Sequence, residues 1–372
     1  MYRFLDPCGL DGQRQRVCSH LLGCRTEAMG GWSLQCSDCD YSQTHYFGCR
    51  DRHCPQCQGR AMRQWAERRH HDILPVPYYH VVFTLPHELN AWIQLHPEVI
   101  HRLLFHSAWA TLDAFGRDPK RLNGQMGMTA VLHTWGQNLS QHVHLHCLVP
   151  GGALGDDGHW RCARSNYLFP VRALSRHFRG RMVGALRAAA DAGELHRVTR
   201  TGEVAALLKG LMAHEWVVYT KNCLQHTATV VDYLARYTRR IAISNARIEA
   251  VDDHGVTLCY KDYRHGGRNR TMTLDGAEFV RRFLLHVLPK GLMRVRHYGL
   301  LANRCRRRRL AQIRQALAVA EPEANSDDIH HAPALVSCPH CRDTVLQIRA
   351  IIPPRMRPTR PPNQRRRMRF RS

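Results

Sequence analysis

The clearest pattern of apolar and polar positions lies between residues 79 and 149. Tyr79–Leu85 (YHVVFTL) is a short β-rich run that ends at Pro86. Residues 97–116 have helical length, with an apolar face through Ile100, Leu103, Leu104, Trp109 and Leu112. Gly127–Trp135 and His142–Val149 read as two strands joined by the turn-like Gly136-Gln137-Asn138, a hairpin. Further on, Ser175–Gly193 predicts a helix, Glu215–Thr220 a strand, Val231–Arg240 a helix, and Glu249–Tyr263 a hairpin around Asp253-His254-Gly255. The order β-α-β-β-α-β-α predicts a compact α+β unit with one antiparallel sheet and helices on one of its faces. No internal repeat is present.

Within this region the second hairpin strand carries unusual chemistry. In an extended chain, side chains alternate between faces, so His142, His144 and His146 share one face while Val143, Leu145, Cys147 and Val149 share the other. The apolar set has the character of a core face. The imidazoles on the opposite side can converge on one divalent ion. Downstream, Tyr233 and Tyr237 stand four residues apart on the predicted helix, hence on one face, with Arg236, Arg239 and Arg240 crowding the same segment. A Tyr pair at this spacing is ordinarily a packing feature. Beside a metal-polarised phosphate and cations that favour the phenolate, it becomes a pair of nucleophiles.

Composition narrows the class of partner. The 372 residues carry Lys+Arg 54 against Asp+Glu 30, a net charge of +24, and are 44% hydrophobic. There is enough apolar material for a real core, and the excess of positive charge favours a polyanionic partner over a small-molecule substrate. Residues 353–372 hold eight Arg, five Pro and no acid; they supply +8 and leave +16 on the body. Such a segment cannot bury a core and is expected to be disordered in isolation. Residues 281–314 add eleven Arg or Lys with no Asp or Glu, including Arg306, Arg307, Arg308 and Arg309. No apolar run approaches the roughly 18–20 residues of a bilayer span, and no secretory h-region is evident, so the expected location is cytoplasmic.

Fifteen Cys in such a chain point to metal ligation in preference to disulfides. Eight fall within residues 1–57. Cys36-x2-Cys39 followed after fourteen residues by Cys54-x2-Cys57 has zinc-ribbon spacing: each two-residue gap lets both thiolates of a tight turn reach one ion, and two turns complete a tetrahedron. Four thiolates leave no open position, so this Zn2+ is expected to be structural. Cys49 and His53 inside the stretch, and Cys18, His20 and Cys24 before it, are possible substitute ligands or parts of a second site. Cys338 and Cys341 form half of another four-ligand site; His330, His331, His340 or Cys305 could complete it, or the pair could stay metal-free.

Several segments occur together in one order: Cys24-Arg25-Thr26 and Gly30-Gly31; CRDRHCPQCQ (49–58); HVVFTLPHEL (80–89); TWGQNLSQHVHLHCLVPGG (134–152); YLARYTRRIAISN (233–245); and RFLLHVLPKGLMRVRHYGLLANR (282–304). In this combination the sequence resembles the transposases of the IS91 family, two-tyrosine members of the HUH (His-hydrophobic-His) endonucleases. The resemblance implies an antiparallel-sheet HUH nuclease of ferredoxin-like, Rep-type α+β fold, a small amino-terminal zinc-ribbon-like domain and a basic, partly disordered carboxyl terminus. It makes His144 and His146 ligands of a catalytic Mg2+ or Mn2+, with Gln137, His133 and His142 as open choices for a third, and Tyr233 and Tyr237 the nucleophiles.

The implied reaction is cleavage and rejoining of single-stranded DNA through 5′-phosphotyrosyl intermediates, in rolling-circle-like transposition. Expected partners are single-stranded element ends and target DNA, gripped by the arginines at 236, 239 and 240 and at 306–309, with no membrane and a place on the bacterial nucleoid. The bond energy stays in the protein–DNA linkage, and no Gly-x4-Gly-Lys-[Ser/Thr] loop occurs, so no ATP is required. The expected domains are 1–72 (zinc), 73–265 (nuclease), 266–320 (basic helical DNA-binding extension) and 321–372 (linker, CxxC element and Arg-rich tail). Two other readings share some of these features: a non-catalytic zinc-dependent DNA-binding protein, and a plasmid replication initiator or relaxase.

Overall fold

A computed structural model describes residues 10–58, 72–163, 167–198, 201–224, 242–320, 337–342 and 344–355. The chain separates into two units, one formed by Met1–Arg60 with Glu323–Ser372 and the other by Ala61–Pro322. The strand and the cysteines of the segment expected as linker, CxxC element and Arg-rich tail (321–372) belong to the amino-terminal unit.

In that first unit, helix α1 (Gly12–Gly23) opens on Asp11, whose carboxylate accepts from the Gln13 and Arg14 amides at 3.0 and 2.9 Å. Val17, Cys18 and Leu21 form its buried side. Strands β1 (Gly31–Gln35) and β2 (Ser42–Tyr46) pair antiparallel, and β13 (Gln347–Ile352) covers the other edge of β1.

The second unit is built on a five-stranded, wholly antiparallel sheet. Its strands are β3 (Tyr78–Thr84), β4 (Gly127–Trp135), β5 (Gln141–Pro150), β8 (Val218–Leu224) and β12 (Val295–Gly299), in the order β12-β4-β5-β3-β8. Strands β6 (Gly152–Leu154) and β7 (Trp160–Cys162) make a small ribbon. Strands β9 (Ile248–Val251), β10 (Val256–Asp262) and β11 (Arg268–Leu274) make a separate three-stranded sheet. The α+β class and antiparallel pairing expected from the sequence are present; the single sheet is not. Apart from the buried Val256, Leu258 and Leu274, β10 and β11 carry mostly half-buried or exposed residues, too few apolar positions to be buried on both faces of a central sheet.

One face of the large sheet forms the core. Tyr79, Val81 and Phe83 of β3, Met128, Ala130 and Leu132 of β4, and Val143, Leu145, Cys147 and Val149 of β5 pack against the helices. Those helices are α2 (Asn90–Leu95), α3 (Pro97–Arg117), α4 (Val171–Asp191) and α5 (Thr201–Ala213). Pro97 starts α3, and its buried residues recur at helical spacing through Ile100, Leu104, Ala108, Leu112 and Phe115. Helix α4 begins earlier than its sequence pattern indicates, directly after Pro170. Phe178 of α4 meets Phe83 at a ring separation of 4.8 Å. Leu145→Ala, which empties a fully buried position in this face, is expected to cost about 3 kcal/mol, read as a shift in the denaturant midpoint.

Helices also reach the opposite face. Helix α7 (Arg306–Ala316) places Leu310 and Ile313 in a second cluster with Tyr78 and Leu148, so one end of that face is covered as well. Residues 266–320 are therefore not a helical extension: they contain β11, helix α6 (Gly276–Leu284), β12 and α7, and β12 is an edge strand of the main sheet. Among the described residues, no helix is long and apolar enough to cross a membrane.

Candidate functional site

The sheet face opposite the core carries a cluster of histidines. Strands β4 and β5 pair with His133 opposite His144 and Val131 opposite His146. Directly opposed residues of an antiparallel pair point to the same side, so His133 joins His144 and His146. One ring nitrogen from each of the three lies within 4.8 Å of the others. The register depends on an irregularity between His133 and Trp135 and on the turn 136–140. In that turn Leu139 takes φ 64, and the Gly136 amide donates to the Ser140 carbonyl at 2.8 Å. The turn is gripped from outside: Arg282 donates to the Asn138 carbonyl at 3.1 Å, His286 Nε2 to that of Leu139 at 3.1 Å, and Arg247 to that of Gln137.

The outer contacts of these rings fix which nitrogens face one another. His144 Nδ1 donates to the His142 carbonyl at 2.9 Å, so its Nε2 carries the lone pair. His146 Nδ1 lies 2.8 Å from Nε2 of His80, a buried residue of β3. With His146 Nδ1 as the donor, its Nε2 also presents a lone pair, and the two Nε2 atoms are 3.1 Å apart. In that tautomer the two lone pairs suit a cation held between them; in the other, with His80 Nε2 donating to His146 Nδ1, His146 Nε2 donates to His144 Nε2. At the roughly 2.1 Å typical of metal–imidazole bonds, a 3.1 Å separation subtends an angle of about 95° at one ion, so the pair fits a shared cation. Burial and the neighbouring His142 ring push His144 down to about 4. Burial, then His144 and Lys221, push His80 down to about 4 as well. His144 and His80 are accordingly neutral near pH 7, and a neutral imidazole is the form that ligates metal.

Of the three residues open for the third position, His133 is the one whose ring nitrogen lies with those of His144 and His146; it stacks on Trp135 with ring centres 4.5 Å apart. His142 is exposed and contributes its carbonyl. Sequence reasoning did not single out His80, although it lies in the HVVFTL run at a position alternating onto the histidine face. Tyr233, Tyr237, Arg236, Arg239 and Arg240 lie outside the described residues.

The arginines of α7 are not equivalent. Arg306 is turned to Asp72, with Nε 3.2 Å from the carboxylate, and Arg309 donates to Gln312 at 3.0 Å. Arg307 and Arg308 are exposed.

The cysteines sort differently from their spacing. Cys54 and Cys57 lie with Cys24 and Cys49, while Cys36 and Cys39 lie with Cys338 and Cys341. The expected single site of Cys36, Cys39, Cys54 and Cys57 is thus corrected, since the two CxxC turns face different partners. In the first group, Cys24 is 3.5 Å from both Cys57 and Cys54, and Cys49 is 3.8 Å from Cys57. A tetrahedral zinc–thiolate site has sulfur–sulfur edges of about 3.8 Å, so this group fits. The Arg50 and Asp51 amides point at the sulfurs of Cys57 and Cys49, at 3.4 and 3.5 Å, which stabilises thiolate charge. Donation from the Cys49 and Cys54 thiols holds Cys57 well below the usual thiol range. His20 and His53, both possible ligands by sequence, each meet Asp51 through Nδ1 at 2.9 Å. They brace α1 against the knuckle, outside the thiolate group.

The family model described as "Putative transposase" matches residues 127–309, and the one described as "Transposase zinc-binding domain" matches residues 2–85. The chain is 42% identical over 320 residues to "Putative transposase y4qJ" of Sinorhizobium fredii, covering 84% of this chain and 80% of that protein. It is 28% identical over 335 residues to the "Transposase for insertion sequence element IS801" of Pseudomonas savastanoi pv. phaseolicola, covering 86% and 77%. No solved structure matches significantly. The chain belongs to the IS91 family of transposases, and its zinc-binding domain with clustered cysteines holds structural zinc.

Proposed function

We propose that this transposase cuts and rejoins single-stranded DNA at element ends, with a divalent ion on His133, His144 and His146 and with Tyr233 and Tyr237 as nucleophiles. The convergence of the three imidazoles on one sheet face is the observation that carries this reading. When bound, Mg2+ or Mn2+ there supplies Lewis-acid polarisation of a phosphoryl oxygen and screening of its charge.

The side chains do the rest. The His142 carbonyl and the His80 ring hold the Nδ1 atoms of His144 and His146, which keeps both Nε2 lone pairs aimed at one point. The phenol of one tyrosine gives up its proton as its oxygen bonds to phosphorus. The bond from phosphorus to the 3′ oxygen breaks, that oxygen takes up a proton to become a free 3′-OH, and the 5′ phosphate remains on the tyrosine. Arg236, Arg239 and Arg240, close by in sequence, lower the cost of the phenolate. The second tyrosine opens another strand while the first end stays attached, as rolling-circle-like transposition requires. Rejoining is the reverse step, with a 3′-OH displacing the tyrosine oxygen. Exposed Arg307 and Arg308 supply sequence-independent phosphate contacts.

The test is to incubate full-length protein with single-stranded oligonucleotides carrying element ends and Mg2+ or Mn2+. A denaturation-resistant adduct mapped to Tyr233 or Tyr237 is expected; cleavage leaving no protein-linked DNA would refute the scheme.

His80 is a positioning residue in this scheme. His80→Ala is expected to weaken Mn2+ binding about 10–100-fold, with cleavage recovering at raised Mn2+. A purely structural role would lower cleavage without rescue by added metal.

A further inference from the structure

The zinc-binding match ends at residue 85 and contains all of Cys24, Cys49, Cys54 and Cys57, but it cannot contain Cys338 or Cys341. We propose that Cys36, Cys39, Cys338 and Cys341 form a second structural zinc site, which closes a discontinuous domain by fastening the carboxyl-terminal segment to the amino-terminal one.

The sulfurs are placed for this. Cys36 lies 3.6 Å from Cys341 and Cys39 lies 3.7 Å from Cys338, and all four are within 4.8 Å of one another. These separations match the edges of a zinc–thiolate tetrahedron, about 3.8 Å, and far exceed the roughly 2.05 Å of a disulfide. Each pair sits in a tight hairpin turn. The Cys36 amide donates to the Tyr41 carbonyl at 3.0 Å, and the Asp38 amide points at the Cys36 sulfur at 3.4 Å. On the other side, the Cys338 amide donates to the Thr344 carbonyl at 2.7 Å, the Arg342 amide donates back to Cys338 at 3.0 Å, and Arg342 takes φ 64. Two such turns facing each other complete four thiolates with no open position, so the site is structural, as the first one is.

The backbone around the site is built for the same closure. Strand β13 pairs with β1 from Gly31 opposite Ile352 to Gln35 opposite Gln347. Leu34 and Leu346 pack beneath the sulfurs with Trp32 and Tyr41 beside them. Gly30 has φ 68, and a Cβ there would meet the Ile352 carbonyl oxygen at 2.5 Å and the Pro354 nitrogen at 2.7 Å. The glycine is what lets the returning strand approach this closely. The site thus joins turns 299 and 305 residues apart in sequence and holds the start of the Arg-rich tail on the zinc unit.

The full-length protein, purified without chelator, is expected to carry two zinc ions per chain by elemental analysis. Cys338→Ser with Cys341→Ser should leave one, and Cys54→Ser with Cys57→Ser should remove the other. Thiol alkylation of native wild-type protein, read peptide by peptide, guards against variants that fail to fold. Cys36, Cys39, Cys338 and Cys341 should be protected together and become reactive together under stepwise chelation. A single zinc in the wild type, two zincs persisting in the Cys338/Cys341 variant, or free alkylation of Cys338 and Cys341 while zinc is bound would overturn the proposal.

Discussion

Phenylalanine at both Tyr233 and Tyr237 is expected to abolish covalent capture of single-stranded DNA while leaving binding close to wild type. The substitution removes only the phenolic oxygens and keeps the rings. Binding rests largely on phosphate contacts from the basic segments, which it leaves in place. Because no other group takes over the bond to phosphorus, adduct yield should fall below about a thousandth of wild type. The readout is a denaturing gel of labelled oligonucleotide after protein digestion to a peptide adduct. Each single variant should retain one nucleophile and stall with one strand attached. Undiminished adduct in the double variant would mean that some other residue carries the DNA.

His146→Ala should slow cleavage on the order of a thousandfold, corresponding to about 4 kcal/mol of lost transition-state stabilisation. Zinc content should be unchanged, because the imidazoles sit on β4 and β5 of one unit and the cysteines belong to the other. The two measurements made on one preparation separate the two metal roles. A parallel loss of zinc would show that the sites are not independent, and an unaffected cleavage rate would remove His146 from the reaction.

How far each part of the site could be read from sequence follows from the range of the interaction involved. His144 and His146 were legible because alternation along one strand is a local property, and the apolar Val143, Leu145 and Cys147 set the opposite face. His133 was only one of three choices. Its place opposite His144 is set by the pairing register, which depends on an irregularity before Trp135 and a five-residue turn that spacing does not disclose. His80 acts across a neighbouring strand, a contact only the sheet order creates. The cysteines carry the sharper lesson. A CxxC spacing brings two sulfurs within reach of one ion wherever it occurs, so it identifies the half-sites but not their partners, and Cys36 and Cys39 lie with theirs about three hundred residues away. Strand β12 was hidden for a different reason: Val295–Gly299 is half-buried throughout and interrupted by Arg296 and His297, so an edge strand looked like part of a basic helical region.

The return of β13 to β1 has a consequence for synthesis. On a ribosome adding about 5–20 residues per second, the strand that completes the first sheet emerges roughly 15–60 s after the strand it must pair with. Throughout that interval one edge of β1 has open hydrogen-bonding groups and Cys36 and Cys39 have no partners. A chain terminated anywhere in its central region keeps that edge of β1 open, which makes truncated products candidates for edge-to-edge association and early proteolysis, whereas β13 covers it once it has paired.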